Sequence, residues 1–448
     1  MHQPSQEHAM AHGASQSVVQ SSTARHWINA YTVRRGSQIM LCLSLLIFAL
    51  GAWVTHGFTD TRITGPASDF SVFWAASHIA LHSHPLHAYD IDKIMAVINQ
   101  YGTLEAGTER ILPWLYPPTF LLLVLPLSLL PLWPSYLLFM LATGLFYVKA
   151  TLGLLGRQVD SRQHAWMSIV GSPAVFVTVL MGQNSMLTAG LAATAVAWLD
   201  KRPVLAGVAI GLLAIKPQLA LLFPVVLLVT RAWKTLASAA VTAVVFTAVS
   251  IAVCGWDTVP AFFHNAHWAE TNLVEHGGTA WYVMPTFLAA ARAAGFGVKL
   301  AYVTQMTMAV LAVITTAYVW RRSNDSGLRI AVLATGTLLI SPYVRAYELT
   351  WLVVAIAGYV SHGIRFGLSG TERTLLVAAW LLPVFEFTNP LFHLPQVGPF
   401  FFVAVMALIV QRVRQHNAAH AASMPPEVPL ARRMPVQASA HVSAHVSG

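Results

Sequence analysis

Apolar residues in this chain are arranged in long runs separated by short polar segments. Runs of about 15–22 residues are long enough for an α-helix to cross the ~30 Å hydrocarbon core of a bilayer. No ten-residue alternation typical of a membrane β-barrel is present. The pattern predicts an all-α polytopic membrane protein with about 12 transmembrane helices. The predicted spans lie near 38–58, 113–131, 133–155, 183–200, 203–216, 219–230, 236–255, 299–320, 328–343, 347–363, 374–388 and 395–411.

Basic residues beside the first apolar run set the predicted orientation. Arg34 and Arg35 precede the run 38–58, which is too long for a signal-peptide core and lacks a small-residue cleavage site. Because cytoplasmic flanks are enriched in Lys and Arg, the N-terminus is predicted to be cytoplasmic, and an even number of crossings returns the C-terminus there. To keep this charge asymmetry we interpret the apolar stretches 165–181 and 281–296 as re-entrant or interfacial.

The longest polar segment between spans, residues 59–112, is the predicted first extracytoplasmic loop. Within it, an apolar stripe at helical spacing predicts an interfacial helix on the membrane surface, with Asp69 at its start. The stripe consists of Phe70, Phe73, Trp74, Ser77 and Leu81. Other acidic residues of the loop are Asp60, Asp90, Asp92, Glu105 and Glu109.

Composition agrees with a membrane protein. With 56% hydrophobic and 10% charged residues, the 448-residue chain is too apolar for a soluble domain. We assign the net charge of +9 to cytoplasmic loops and predict no nucleic-acid partner. Cys42 and Cys254 alone cannot form a disulfide framework or a cysteine metal site. The polar ends, 1–26 and 415–448, are predicted disordered tails flanking one transmembrane domain, 27–414.

Asp69 is the predicted catalytic residue. A carboxylate beside aromatic residues, partly shielded from water, can accept a proton from an attacking hydroxyl group. The alternative is that Ser68 and Asp69 only cap the following helix, since both residue types are favoured N-caps. Asp60, Asp90 and Asp92 are rival acids, but none is followed so closely by an aromatic stripe.

Two cations, Lys216 and Arg345, are predicted to bind a phosphate group at the membrane surface. Lys216 stands between two apolar runs and before Pro217, so it could instead snorkel from a helix end to the interface. For Arg345 the alternative is a structural ion pair with Glu348.

Two other polar groups have open interpretations. The amides in Gly182-Gln183-Asn184 can donate and accept hydrogen bonds to sugar hydroxyls, although the three residues could equally form a helix-breaking turn. His264, His267 and Glu270 have a spacing compatible with a metal ion. A water-exposed polar loop accommodates such residues without a ligand, so we predict no metal and no cofactor.

Several motifs occur in a recognisable order. They are Ser68-Asp69-Phe70 with Phe73-Trp74, Leu115-Tyr116-Pro117-Pro118, Ser172-Pro173, Gly182-Gln183-Asn184-Ser185-Met186-Leu187, Gly207, Gly211, Lys216-Pro217-Gln218 and Arg231-Ala232-Trp233-Lys234. Together they resemble glycosyltransferase family 87, the integral-membrane mannosyltransferase-like enzymes of the GT-C fold. The likeness covers about residues 65–240, with a looser likeness at 341–348, where members often carry Asp in place of Glu348.

The resemblance implies a GT-C-type helical bundle in the cell membrane with an extracytoplasmic active site. It implies inverting transfer of a hexose, first of all mannose, from a polyprenyl-phosphate sugar to a glycolipid or glycan acceptor, with Asp69 as general base. No obligate protein partner is evident. Substrate contacts are predicted at Tyr116, Gln183, Asn184, Gln218, Tyr347 and Glu348. The alternative, a lipid or sugar transporter or flippase, would usually show inverted repeats, and the sequence shows no convincing repeat.

Overall fold

The structure, a computed structural model, describes residues 28–58, 66–101, 111–155 and 159–423. Within these residues the chain forms α-helices joined by short helical turns, and no β-strand, which confirms the all-α prediction. The helices are α1 (Ala30–Val54), α2 (Ser68–His82), α3 (Ile91–Tyr101), α4 (Pro118–Val124), α5 (Leu132–Leu154), α6 (Val159–Val170), α7 (Pro173–Met181), α8 (Ser185–Trp198), α9 (Pro203–Gly211), α10 (Leu222–Val229), α11 (Trp233–Cys254), α12 (Thr258–Ala269), α13 (Phe287–Ala293), α14 (Val298–Arg322), α15 (Ser326–Ile340), α16 (Thr350–Phe366), α17 (Gly370–Phe392) and α18 (Gly398–Ser423).

Some sequence predictions fall outside the described residues. These are the N-terminal tail 1–26 and the loop acids Asp60, Glu105 and Glu109. Most of the predicted tail 415–448 also lies outside them, but α18 continues into that stretch as far as Ser423.

Six helices in the described part of the chain are long and apolar enough to cross a membrane. They are Ala30–Val54, Leu132–Leu154, Trp233–Cys254, Val298–Arg322, Ala346–Phe366 and Gly370–Phe392. Five shorter apolar helical segments accompany them: Pro118–Leu129, Ser185–Trp198, Pro203–Ile215, Pro217–Val229 and Ser326–Ile340. Each predicted span overlaps a helix, but the count of about 12 full crossings is not confirmed, because many of these helices are short or interrupted. The stretches interpreted as re-entrant or interfacial contain only the short helices α6, α7 and α13.

The short helices are separated by breaks that carry polar residues. Pro217 cannot donate a backbone hydrogen bond and disfavours helical backbone at the residue before it, so Lys216 has non-helical dihedrals, φ −150° and ψ 70°, between two 3₁₀ turns. A second break, at residues 182–184, separates α7 from α8, and a third, at 341–345, follows α15. Non-helical backbone at membrane depth is tolerated only where protein or a wet cavity surrounds it, so these breaks mark the protein interior.

Helix α2 is buried inside the protein. Phe70, Phe73 and Trp74 are almost fully covered, and the Trp74 indole donates a hydrogen bond of 2.9 Å to the Leu130 carbonyl. The hydroxyl of Ser77 donates to the Leu125 carbonyl at 2.7 Å. The predicted membrane-surface location of this stripe is therefore wrong for these residues. The reason is that the segment around residues 125–130 folds against Trp74 and Ser77, while the rings of Tyr136 and Phe120 pack on Phe70 and Phe73.

Candidate active site

Asp69 is the second residue of α2, and it does not cap that helix. The N-cap residue is Ala67, and no side-chain hydrogen bond caps the helix start. Instead, Oδ2 of the half-buried Asp69 accepts a hydrogen bond of 2.8 Å from Nε2 of Gln183. The carboxylate thus bonds across to the break between α7 and α8, and the capping alternative is wrong.

Gly182 allows α2 to approach this break closely. It ends α7 with a left-handed φ of 76°, a conformation that glycine adopts without strain. A Cβ atom at this position would lie 2.4 Å from Cβ of Phe70, next to Asp69. The turn alternative for residues 182–184 is therefore correct, and the turn also delivers the Gln183 amide to Asp69.

Tyr116 holds the other side of the Gln183 amide. Its hydroxyl donates a hydrogen bond of 3.0 Å to Oε1 of Gln183. Tyr116 immediately precedes α4. Its hydroxyl is the donor in this bond, because the amide oxygen of Gln183 can only accept.

Two residues that the sequence did not single out support Tyr116. Tyr89 donates its hydroxyl to the Tyr116 carbonyl at 3.0 Å. The amide of Asn265, buried on α12, donates to the carbonyls of Tyr89 at 2.9 Å and Trp114 at 3.1 Å. Asn265 lies between His264 and His267, so the segment predicted as a water-exposed loop is helix α12, and no local sequence pattern distinguishes Asn265 from its neighbours.

Lys216 forms a buried ion pair. Its side chain is 5% exposed, and Nζ lies 2.7 Å from Oε1 of Glu348 and 3.4 Å from Oδ1 of Asn184. The rings of Tyr116 and Tyr347 flank the ammonium group, with centroids at 5.6 and 5.5 Å. Snorkelling to an interface is therefore excluded for Lys216. Its charge is already compensated by Glu348.

Arg345 does not form the ion pair with Glu348 that was the alternative role. Oε2 of Glu348 accepts the backbone N–H of Arg345 at 2.9 Å, while the Glu348 carboxylate pairs with Lys216. In the described part of the chain, no carboxylate oxygen lies within 4.0 Å of the Arg345 guanidinium. Burial lowers the pKa of Arg345, but Tyr343, Tyr347 and Asp69 raise it above its usual value, so the group keeps its positive charge.

The structure brings together eight of the nine residues that the sequence predicted. We call them the Asp69 cluster: Asp69, Tyr116, Gln183, Asn184, Lys216, Arg345, Tyr347 and Glu348. Gln218 is half-buried on the 3₁₀ turn Pro217–Ala220, and no hydrogen bond joins its side chain to this cluster within the described residues.

The rival acids and the histidines lie elsewhere. Oδ1 of Asp90 accepts the backbone N–H groups of Asp92 and Lys93 at the start of α3, so Asp90 is a helix cap. Asp92 is exposed. His267 forms an exposed pair with Glu270 at 3.5 Å, and no group of three or more metal-ligating side chains occurs in the ranges that the structure describes.

The charged groups of the Asp69 cluster are compensated to different degrees. Asp69 is an anion held by one amide, Lys216 and Glu348 neutralise each other, and Arg345 is a cation without a carboxylate partner among the described residues. Such an arrangement can remove a proton from a hydroxyl group at Asp69 and bind an anion at Arg345.

Comparison with known families agrees with this chemistry. Residues 114–342 match glycosyltransferase family 87, over half of the chain. The chain belongs to glycosyltransferase family 87. No curated protein and no solved structure matches it. The match includes Tyr116, Gln183 and Lys216, whereas Asp69 and Glu348 lie outside it and reach it through the contacts described above.

Proposed function

We propose that this membrane glycosyltransferase transfers a hexose, with mannose as the first candidate, from a polyprenyl-phosphate sugar to an acceptor hydroxyl. The proposal places the reaction on the extracytoplasmic side of the cell membrane, with both termini in the cytoplasm and a glycolipid or glycan as acceptor. The observation that supports it best is one carboxylate, Asp69, whose hydrogen-bond partner among the described residues is Gln183, in the same cluster as Arg345, a cation without a carboxylate partner in that part of the chain.

Asp69 is the general base in this proposal. Among the described residues, its Oδ1 atom accepts no hydrogen bond, which leaves it available to an incoming hydroxyl group. As the acceptor oxygen forms a bond to the anomeric carbon, its proton moves to Asp69. The bond from that carbon to the phosphate oxygen breaks on the opposite face, and the polyprenyl phosphate leaves with the electron pair. The result is inversion of configuration.

The leaving phosphate needs a cation rather than a general acid. Arg345 is the better candidate for this role, because it is positively charged and has no carboxylate partner in the described part of the chain. Lys216, which the sequence also predicted to bind phosphate, contributes less, because Glu348 already neutralises it at 2.7 Å. A retaining mechanism needs a second free carboxylate near the first, and Glu348 is not free.

Other predicted substrate contacts keep their place in the proposal. Asn184 and Tyr347 lie beside Lys216 in the Asp69 cluster. Gln218 is close to Lys216 in the sequence and is half-buried, and within the described residues no hydrogen bond joins its side chain to the cluster. Glu348 contributes indirectly, by fixing Lys216. The amide of Asn184 is buried, and its Nδ2 atom has no hydrogen-bond partner among the described residues.

The test is sugar transfer by the purified, full-length enzyme. It is incubated with polyprenyl-phosphate mannose, or with other polyprenyl-phosphate sugars, and with glycolipid and glycan acceptors, and products are identified by mass spectrometry. We expect Asp69→Asn to lower the transfer rate by about 10²- to 10⁴-fold, the usual contribution of a general base. The control is Asp92→Asn, an exposed acid of the same loop, which should transfer at the wild-type rate. A wild-type rate in Asp69→Asn would remove Asp69 from the mechanism.

A further inference from the structure

The side-chain amide of Gln183 is held from both ends. Nε2 donates to Oδ2 of Asp69 at 2.8 Å, and Oε1 accepts the Tyr116 hydroxyl at 3.0 Å. Oε1 also accepts the backbone N–H of Asn184 at 3.3 Å. Gln183 is 4% exposed, so bulk water does not compete for these bonds.

These contacts fix which way the amide faces. An ionised carboxylate can only accept hydrogen bonds, so Nε2 of Gln183, rather than Oε1, must face Asp69. The backbone N–H of Asn184 can only donate, so it requires an oxygen on the other side. Tyr116 must therefore donate to Gln183 as well. The three contacts select one amide orientation, and the opposite orientation would set two acceptors against each other.

We infer that Tyr116 and Gln183 are positioning residues that orient the Asp69 carboxylate for proton transfer, rather than contacts to the sugar. The inference rests on the proposed role of Asp69 as general base. Gln183 occupies Oδ2, which fixes the rotation of the carboxylate and leaves Oδ1 for the acceptor hydroxyl. Tyr116 acts indirectly, because its hydrogen bond to Oε1 of Gln183 keeps the Gln183 amide from rotating.

The same contacts hold the Asp69 carboxylate in one orientation, although Asp69 does not cap its helix. Oriented groups around a catalytic carboxylate lower the cost of reaching the reactive geometry. Loss of Gln183 should therefore lower the rate of the chemical step without weakening donor binding.

Three variants of the full-length enzyme test the inference: Gln183→Leu, Tyr116→Phe and the control Tyr136→Phe. Tyr136 also donates its hydroxyl to a protein oxygen, the Val179 carbonyl at 2.6 Å, but it does not contact Gln183. The transfer rate is measured against donor concentration for each variant and for the wild type, which gives kcat and KM separately.

We expect Gln183→Leu to lower kcat by about tenfold or more, the loss of one charge-assisted hydrogen bond, with KM for the donor within about twofold of wild type. Tyr116→Phe should show the same change at smaller size, and Tyr136→Phe should show no change. Because Tyr116→Phe removes one oxygen atom only, it provides the test if Gln183→Leu does not fold.

A raised donor KM with unchanged kcat would overturn the inference, because it would show that Gln183 or Tyr116 binds the sugar directly. If Asp69→Asn keeps the wild-type rate, the proposed function fails instead. If Asp69→Asn is inactive while Gln183→Leu and Tyr116→Phe behave as wild type, the positioning role alone fails.

Discussion

The two ends of helix α16 carry two polar clusters of different character. At its N-terminal end lies the Asp69 cluster, which includes Glu348. Roughly 20 Å away, at 1.5 Å per residue along the helix, lies a second group that we call the Asp325 cluster: Asp325, His362 and Arg365. Oδ2 of Asp325 lies 3.0 Å from Nδ1 of His362 and 2.5 Å from the Arg365 guanidinium.

In the Asp325 cluster both carboxylate oxygens are used. Oδ1 of Asp325 also accepts the Leu328 backbone N–H at 3.0 Å and caps α15. Burial raises the pKa of Asp325, but the hydrogen bonds from His362 and Leu328 and the charge of Arg365 bring it down to about 2. This carboxylate joins α15 to α16. Asp69 and Arg345, by contrast, each keep unused hydrogen-bonding capacity among the described residues.

The difference teaches that burial alone does not separate compensated charges from available ones in this protein. Lys216 and Glu348 are more buried than Asp69, yet they compensate each other and lie within the Asp69 cluster, for which we propose a catalytic role. What distinguishes Asp69 and Arg345 is unused bonding capacity among the described residues. Variants of Asp69 or Arg345 should therefore affect sugar transfer, whereas variants in the Asp325 cluster should affect stability.

The largest expected effect on stability comes from breaking the buried ion pair. Lys216→Met leaves the Glu348 carboxylate buried and uncompensated, which should cost about 3–5 kcal/mol of unfolding free energy. The double variant Lys216→Met with Glu348→Met should recover most of that loss, because it removes both charges. Thermal unfolding of the purified proteins provides the measurement.

The control for this pair is Lys93→Met. Lys93 and Asp90 form an exposed pair at 3.8 Å, which should contribute about 0–1 kcal/mol. If Lys216→Met were as mild as Lys93→Met, the buried pair would not stabilise the fold as described.

Replacing Arg345 and Arg365, one cation in each cluster, should separate the effects of the two clusters on sugar transfer and stability. Arg345→Gln should lower kcat/KM for the donor by about 10- to 100-fold, the loss of a charge-assisted contact to phosphate, with little change in thermal stability. Arg365→Gln makes the same chemical change in the Asp325 cluster and should leave kcat/KM unchanged while lowering stability. Equal effects of the two variants on kcat/KM would contradict the assignment of donor binding to Arg345.

The smallest effect concerns the pH dependence of stability. The pKa of Asp325 is lower in the folded protein than its usual value of 3.8, so the stabilisation from its ionised carboxylate is complete above pH 3.8 and is lost as pH falls towards 2. Asp325→Asn should therefore lower stability by about 2 kcal/mol at pH 7, at about 1.36 kcal/mol for each tenfold change in the acid dissociation constant. Unfolding of wild type and variant, compared at pH 7 and pH 3, should show the difference shrinking at pH 3. A constant difference would contradict this origin.

Much of this site could be predicted from residue type, because Asp69, Lys216 and Arg345 are ionisable groups in an apolar chain. Their partners could not. The bond from Gln183 to Asp69 joins positions 114 residues apart, and the Lys216–Glu348 pair joins two separate helix breaks, so neither has a local pattern. The burial of α2 was mispredicted for the same reason, since periodicity gives a helix face but not what covers it.

Sugar transfer and thermal stability, measured together for Asp69→Asn and Asp325→Asn, test the division between the two clusters most directly. We expect Asp69→Asn to lose sugar transfer from the polyprenyl-phosphate donor while unfolding at the wild-type temperature. Asp325→Asn should unfold at a lower temperature while transferring sugar at the wild-type rate below that temperature. Retained transfer in Asp69→Asn, with transfer lost in folded Asp325→Asn, would contradict the assignment of catalysis to the Asp69 cluster.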